Sequence, residues 1–456
     1  MGADKSFLHT IAHIFDFVDF TILQFRKLVN LRIYSVTIFH FAQTFSNATE
    51  FSAILETTMR TGIHHLFIPG PTNVPEPVRM AMNVTMQDHR AHDYGAPNLG
   101  IFRDLKTLFR TTDGHIMLFP GSGTAAWEAA ITNTLSPGDR VLMARHGQFS
   151  MLWAQMAERL GLKVDLIDVP WGAAAPVSEF ARRLASDPAG EIKAVFITHN
   201  ETATGVASDV AALRRALDEA FHDALLFLDG VSSIGCIPFE MDAWGVDLAV
   251  TGSQKGMMMP PGLGILGVSQ KALKASETAT MRRAFFEFSD QLKNNETGYF
   301  PYTPPVQLLH ALRAALDQMM AEGLDNVIAR HRRLGAGVRA AVKAWGMDLC
   351  AESPAHYSDT VTAIRTPEGV DARDVIRIGY DRYNASFGSG LGPLAGKAFR
   401  IGHIGHCNEG MCLTAIALAE LSMAAAGAKI TFGSGVAAAQ EVYASHTADA
   451  ARIAAD

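Results

Sequence analysis

The sequence predicts an α/β protein: a large, mostly parallel sheet covered by helices on both faces, then a smaller C-terminal α+β domain. Three observations carry this reading. From Leu66 onward, short and nearly unbroken apolar runs alternate with helical stretches, the pattern of strands buried on both faces. Polar residues with useful chemistry stand where those runs end, and in open parallel sheets ligands gather at the carboxyl ends of the strands. After Lys255 the pattern changes to two long helical stretches followed by short strands and turns.

In chain order, His115–Phe119 reads as a strand. Pro120-Gly121-Ser122-Gly123-Thr124 follows it, and a helix starts at Ala125–Ile131. Ser136-Pro137-Gly138-Asp139 is a turn. Arg140–Ala144 is a second strand, Met151–Leu160 a helix and Lys163–Ile167 a third strand. Ala194–Thr198 is an apolar run before His199-Asn200-Glu201. Ala224–Leu228 ends in Asp229, and Val246–Val250 leads into Thr251-Gly252-Ser253-Gln254-Lys255-Gly256. Beyond Tyr302-Thr303-Pro304-Pro305, residues Val306–Glu322 and Leu324–Trp345 read as long helices, and Gly346–Cys350 as a strand entering the small domain. The expected organisation is an atypical extension over 1–58, a large domain with its N-terminal arm over 59–323, a linking helix and small domain over 324–445, and a tail over 446–456.

Composition sets outer bounds. A chain of 456 residues with 48% hydrophobic and 19% charged residues can bury large cores and is not globally disordered. A net charge of −7 gives no sign of a nucleic-acid partner. The four cysteines, Cys236, Cys350, Cys407 and Cys412, have neither zinc-like spacing nor the look of a disulfide framework, so a reducing cytoplasm is expected and no metal.

The first 58 residues stand apart, with 9 of the 26 phenylalanines and no proline. The uncharged stretch between Arg32 and Glu50 contains His40, Gln43, Thr44, Ser46 and Asn47, too polar and short for a membrane span. Three readings stay open. The favoured one is translated upstream sequence with Met59 as the true start. A segment docking on a membrane surface or partner comes second. A transit peptide comes last, since Asp16, Asp19 and Glu50 spoil the usual lack of acids.

Lys255 and Asp229 each close a buried strand. A lysine offers a Schiff base to an aldehyde, and an aspartate keeps a pyridine nitrogen protonated. Together they form the minimal apparatus for pyridoxal phosphate and point to amino-group chemistry. The structural alternatives are an exposed lysine after a strand and a helix-capping aspartate.

From about Phe67 to Tyr443 the chain resembles the class V, fold-type I aminotransferases, within which it looks most similar to the serine–glyoxylate and alanine–glyoxylate groups. The resemblance rests on Pro69-Gly70-Pro71-Thr72-Asn73, Gly121-Ser122-Gly123-Thr124, His199-Asn200-Glu201-Thr202-Ala203-Thr204-Gly205, Asp229-Gly230-Val231-Ser232-Ser233, Gly252-Ser253-Gln254-Lys255-Gly256, Pro301-Tyr302-Thr303-Pro304-Pro305 and Phe399-Arg400-Ile401-Gly402. Each is weak alone, but their order and spacing are specific.

The resemblance implies a role for each matching residue. Lys255 carries the Schiff base and then moves the proton, and Asp229 pairs with the ring nitrogen. Ser122, Gly123 and Thr124 hold the phosphate with helix N–H groups, helped by Gln254. Phe149 stacks on the ring where relatives often have tryptophan, and Thr202 bonds the ring oxygen. Thr303, and with less support Tyr302, would reach the partner subunit's phosphate, making the active unit a homodimer. Phe300 stands where the family often has tyrosine. Arg400 would clamp the carboxylate common to every amino and keto acid in the reaction. His199 and His403 are expected to pack or hydrogen-bond, and Met257-Met258-Met259 to line the core.

The implied activity is transfer of the amino group of L-serine to glyoxylate, giving hydroxypyruvate and glycine, with alanine or aspartate as alternative donors. Two rivals remain. A cysteine desulfurase-like lyase would need a mobile reactive thiol, whereas Cys350 reads as buried. A non-catalytic cofactor-binding or scaffold protein would have no use for the Lys255, Asp229 and Arg400 set.

Overall fold

The computed structural model describes residues 62–453, so the extension expected over residues 1–58 lies outside the described residues. Strand β1 (His65–Phe67) comes first, followed by α1 (Glu76–Ala81), α2 (Gly95–Phe109), β2 (His115–Gly121) and α3 (Gly123–Thr134). Then come β3 (Arg140–Arg145), α4 (Gln148–Arg159), β4 (Lys163–Asp168), α5 (Val177–Ala185) and β5 (Ile192–Thr198). A short pair, β6 (Asn200–Glu201) and β7 (Val206–Ala207), precedes α6 (Val210–Glu219), β8 (Leu225–Asp229), β9 (Leu248–Gly252) and β10 (Gly262–Val268).

Seven of these strands form the larger sheet, in the order β2-β10-β9-β8-β5-β3-β4. Every adjacent pair from β9 to β4 is parallel, while β10 runs antiparallel to both β9 and β2. The mostly parallel sheet is thus as the sequence predicts, with β10 as the reversed strand it did not reveal. Alternation along each strand sends side chains to opposite faces. Leu142, Val195, Leu226 and Ala249 join one apolar cluster, and Val141, Ala194, Leu225 and Leu248 the other. Both faces are therefore dry, which is why the strands read as continuous apolar runs. Helices end where the chemistry dictates: Asp209 accepts from the Ala212 amide at 2.8 Å to start α6, and α4 begins at Gln148, three residues before the expected Met151.

Beyond the larger sheet run α7 (Gln270–Ser276), α8 (Phe288–Asn295), α9 (Val306–Glu322) and α10 (Leu324–Ala344). The break between α9 and α10 falls at Gly323, whose φ of +85° suits glycine alone. The remaining elements are β11 (Val361–Arg365), α11 (Ala372–Tyr383), β12 (Ala385–Ser389), β13 (Ala398–Gly402), α12 (Glu409–Ala425) and α13 (Ser434–Ile453). A second sheet has the order β1-β12-β13-β11. Its first member corrects the expected organisation: the arm assigned to the large domain gives its strand to the smaller sheet, with His65 in register with Ala385. Two further differences are local. Gly346–Cys350 makes only a single bridge, Leu349 to Ile364, because Glu352 turns away to bond Gly172 O at 3.0 Å. Helix α13 runs through the boundary expected at 445.

The two sheets are stitched together by polar contacts. The Ser358 amide donates to Gly205 O at 2.9 Å, and Asn200 Nδ2 donates to Thr360 Oγ1 at 3.0 Å. Among the described residues no helix is long and apolar enough to cross a membrane.

The tightest aromatic packing lies under the parallel strands, where fully buried Trp153 is stacked 5.5 Å from Trp127 and 4.6 Å from Phe196. Trp153→Ala should cost about 3–5 kcal/mol, read as a large fall in the urea midpoint. A shift equivalent to less than about 1 kcal/mol would mean that this cluster can collapse around the gap.

Candidate active site

Five parallel strands of the larger sheet deliver side chains to one edge. Strand β2 leads to Ser122, β3 to Phe149, β5 to His199–Thr202, β8 to Asp229 and β9 to Lys255. Register explains why they meet: Thr198 at the end of β5 lies beside Asp229, and Asp229 lies beside Val250 of β9. The smaller sheet supplies Arg400 from the middle of β13, opposite Gly388 and Ala363.

Lys255 sits at the centre, 8% exposed, and its Nζ donates to Pro69 O at 2.6 Å. The neighbouring Gly70 has φ +122°, and a Cβ there would lie 2.5 Å from that nitrogen. The turn after β1 can therefore wrap the amine only with glycine at this point. Thr72 Oγ1 donates to Lys255 O at 3.2 Å, which fixes the same turn. Burial and the charge of Arg400 push the Lys255 amine down to about 8, against the pull of Asp229.

Asp229 is buried, with Oδ1 accepting from the Val231 amide at 3.0 Å. Burial pushes its carboxyl up to about 7. The Val231 N–H opposes this, and the charge of Glu201 adds to it. Among the described residues this carboxyl forms no salt bridge, though the charge of Lys255 acts on it, and a buried carboxylate calls for a cation partner. Arg400 is also buried, and burial brings its guanidinium down to about 10. Its Nε donates to Ser389 O and its Nη1 to Thr202 O, both at 2.9 Å. Nη2 makes no hydrogen bond within the described chain, so one arm of the fork is left over.

At the other end of the site, Ser122 caps α3 with extended backbone and no side-chain bond of its own. The first intrahelical bonds come from Ala125 and Ala126 to Ser122 O, at 3.0 and 3.2 Å. The preceding N–H groups of Gly123 and Thr124 therefore point outward. Gln254 lies beside them: a Cβ on Gly252 would touch both Gln254 Oε1, at 2.9 Å, and Gly123 N, at 3.2 Å. That amide oxygen is buried without a partner. Since amide O and N are interchangeable at this level of detail, a terminal NH₂ can face the same space. Orphaned amide atoms beside an uncapped helix start make a cradle suited to an anion.

Most of the expected residues thus converge: Lys255, Asp229, Ser122, Gly123, Thr124, Gln254, Phe149, Thr202 and Arg400. Tyr302 and Thr303 do not. Both are exposed, Tyr302 stacks on Phe285 at 5.2 Å, and neither bonds to the cluster within its own chain. Thr202 is held at 2.7 Å from Ser232 Oγ, which in turn receives Asn200 Nδ2 at 2.8 Å. Sequence reasoning gave Ser232 and Glu201 no role, although both lie in quoted motifs. Glu201 is the acid between Asn200 and Thr202, and its complete burial was the missing information. His403 bonds Thr362 Oγ1 and Asp359 O, and Met257, Met258 and Met259 are buried, as expected of packing residues. Burial pushes the Cys350 thiol up to about 11, which makes it inert.

The chain and its fold have counterparts among known proteins. The family model described as aminotransferase class-V matches residues 66–390, and the chain belongs to that family. Among curated relatives, the chain is 56% identical to a serine–glyoxylate aminotransferase of Hyphomicrobium methylovorum, over 83% of this chain and 94% of that one. It is 52% identical to an L-aspartate–glyoxylate aminotransferase of Paracoccus denitrificans, over 87% and 100%. Its fold is similar to the crystal structure of ureidoglycine–glyoxylate aminotransferase from Bacillus subtilis, with a TM-score of 0.78 at 26% identity, covering 85% of this chain and 99% of that one.

In protein freed of bound small molecules, an amine-directed acylating reagent should modify Lys255 at a rate rising through pH 8, as the neutral amine forms. An exposed lysine would titrate near 10.4. Peptide mass spectrometry across a pH series reads the midpoint, and one above 10 would show that burial does not set this charge.

Proposed function

We propose that this chain is a pyridoxal-phosphate transaminase that moves the amino group of L-serine to glyoxylate, giving hydroxypyruvate and glycine. The observation that carries the reading is the convergence of a buried lysine, a buried aspartate and a half-satisfied arginine in a class V fold 56% identical to a serine–glyoxylate aminotransferase. The residues present fit the cofactor. Gly123 and Thr124 N–H groups with Gln254 would hold its phosphate, Phe149 would cover its ring, and Thr202 would bond the ring oxygen. Asp229 would stay ionised beside a protonated ring nitrogen, since a cation at that distance opposes the effect of burial. When bound, pyridoxal phosphate supplies the electron sink for reaction at the α-carbon.

The chain's own residues then have defined tasks. Arg400 keeps Nη2 available and grips the substrate carboxylate, which orients the α-carbon toward Lys255. Lys255 would take the α-proton on Nζ and return it. It must be neutral to do so. An amine near 8 is appreciably neutral at physiological pH, whereas an ordinary lysine would be neutral to less than about 1%. Burial and Arg400 together therefore tune the base. Because Tyr302 and Thr303 are exposed and make no bond to their own site, they suit a reach into a second copy, and we read the active unit as a homodimer. Four buried, unpaired thiols suit a reducing cytoplasm.

L-Aspartate as donor is the second reading, favoured by the 52% identical relative named for that donor. A half-reaction separates the two. L-serine, L-alanine or L-aspartate is added to the loaded enzyme without keto acid, and loss of the visible absorption is followed. Serine should bleach fastest, with glyoxylate restoring the colour as glycine forms; a faster aspartate reaction would change the donor and leave the mechanism intact. Lys255→Ala should lower turnover by about 10³-fold or more, and unimpaired turnover would exclude Lys255 as the base. Arg400→Ala should raise KM for donor and acceptor alike by about 30–100-fold, the worth of a charge-assisted bidentate pair.

A further inference from the structure

Glu201 is the one fully buried carboxylate at this edge of the sheet to which the mechanism gives no task. Its surroundings are backbone amides and one serine hydroxyl. Oε2 accepts from the Ser150 amide at 3.0 Å, the Phe149 amide at 3.1 Å and Ser150 Oγ at 3.2 Å. Oε1 accepts from the Ala203 amide at 3.1 Å and more weakly from Phe149 at 3.3 Å. Burial raises its carboxyl above the ordinary glutamate range, and the three amides oppose that rise. Three backbone amides that can only donate face the carboxyl, and each favours its ionised form.

The contacts tie together three parts of the site. Phe149 and Ser150 form the first turn of α4, so the carboxylate satisfies amides that the helix itself leaves open and sits at the favourable end of its dipole. Ala203 belongs to the loop that presents Thr202. Thr202 O in turn accepts from Arg400 Nη1, and Glu201 is the acid whose charge acts on Arg400, which makes no salt bridge among the described residues. The approach is close enough that Gly147 admits no side chain: a Cβ there would lie 2.2 Å from Glu201 Cγ.

We propose that Glu201 is a positioning residue that sets carboxylate affinity: it anchors the helix start bearing Phe149 and the loop bearing Thr202, whose carbonyl holds Arg400 toward the substrate carboxylate. This rests on the reading of Arg400 as the carboxylate clamp. Glutamine in its place keeps the volume but offers one acceptor oxygen and one NH₂. The NH₂ must then face amide donors on one side, which loosens the loop whose carbonyl holds Arg400.

The test is equilibrium binding of an unreactive carboxylate, propionate, to the cofactor-loaded enzyme by calorimetry, with cofactor content measured in parallel. Glu201→Gln should retain cofactor, weaken propionate by about 10-fold or more, and raise KM for donor and acceptor by the same factor with a smaller fall in kcat. A merely structural role would lower the melting temperature and leave propionate affinity unchanged, which would overturn the proposal. Arg400→Ala is the control. If it too leaves propionate affinity unchanged, the clamp assignment itself fails, a separate result. If Glu201→Gln does not fold, Gly147→Ala displaces the carboxylate without removing it. Propionate weakened by 3-fold or more in that variant supports the proposal, and unchanged affinity sinks it.

Discussion

The site depends on keeping an amine out of water between two sheets. Lys255 comes from the end of β9, its hydrogen-bond acceptor Pro69 O from the turn after β1, and the opposing cation Arg400 from β13. None of these segments is near another in sequence, yet all must meet within a few ångströms. Glycines make this possible where they stand. Gly70 passes against the amine, and Gly388 passes between Pro69 and Arg400, where a Cβ would lie 2.9 and 3.1 Å from them. Two cations and two carboxylates are then buried near one another: Arg400 and Asp229 act on Lys255, and Glu201 acts on both Asp229 and Arg400. The balance leaves the lysine partly neutral and the aspartate in need of a cation, which is how one set of charges serves both a base and an electron sink.

The parallel sheet was legible because strands buried on both faces have no polar alternation to hide them. The loops that end those strands were legible because glycine, lysine and aspartate at such ends are chemically conspicuous. Strand direction was not: Gly262–Val268 is apolar whichever way it runs, so β10 could not be read as reversed. Nor could the partner of β1. Three residues carry too little pattern to show which sheet they join, and pairing with residue 385 is a property of the closed fold.

Within the cluster, side chains whose type suits charge or covalent chemistry stood out by residue type and place. Those that act by satisfying backbone amides did not. Glu201 looks like any loop acid until its burial and its three amide donors are seen. Ser232 is equally anonymous as a serine, yet it links Thr202 and Asn200. Tyr302 and Thr303 show the converse: their motif is specific, but within one chain they make no bond to the cluster.

The pairing of β1 with β12 also constrains how the protein can be made. His64 and Ser386, joined at 2.7 Å, are separated by 322 positions. At ribosomal speeds of about 5–20 residues per second, the leading strand waits roughly 15–60 s for its mate to emerge. The parallel sheet can assemble in that interval, but the turn that wraps Lys255 cannot be locked until the smaller sheet closes. Competence therefore arrives last, with the C-terminal quarter of the chain, and an incomplete nascent chain is left with its first strand unpaired and open to wrong partners.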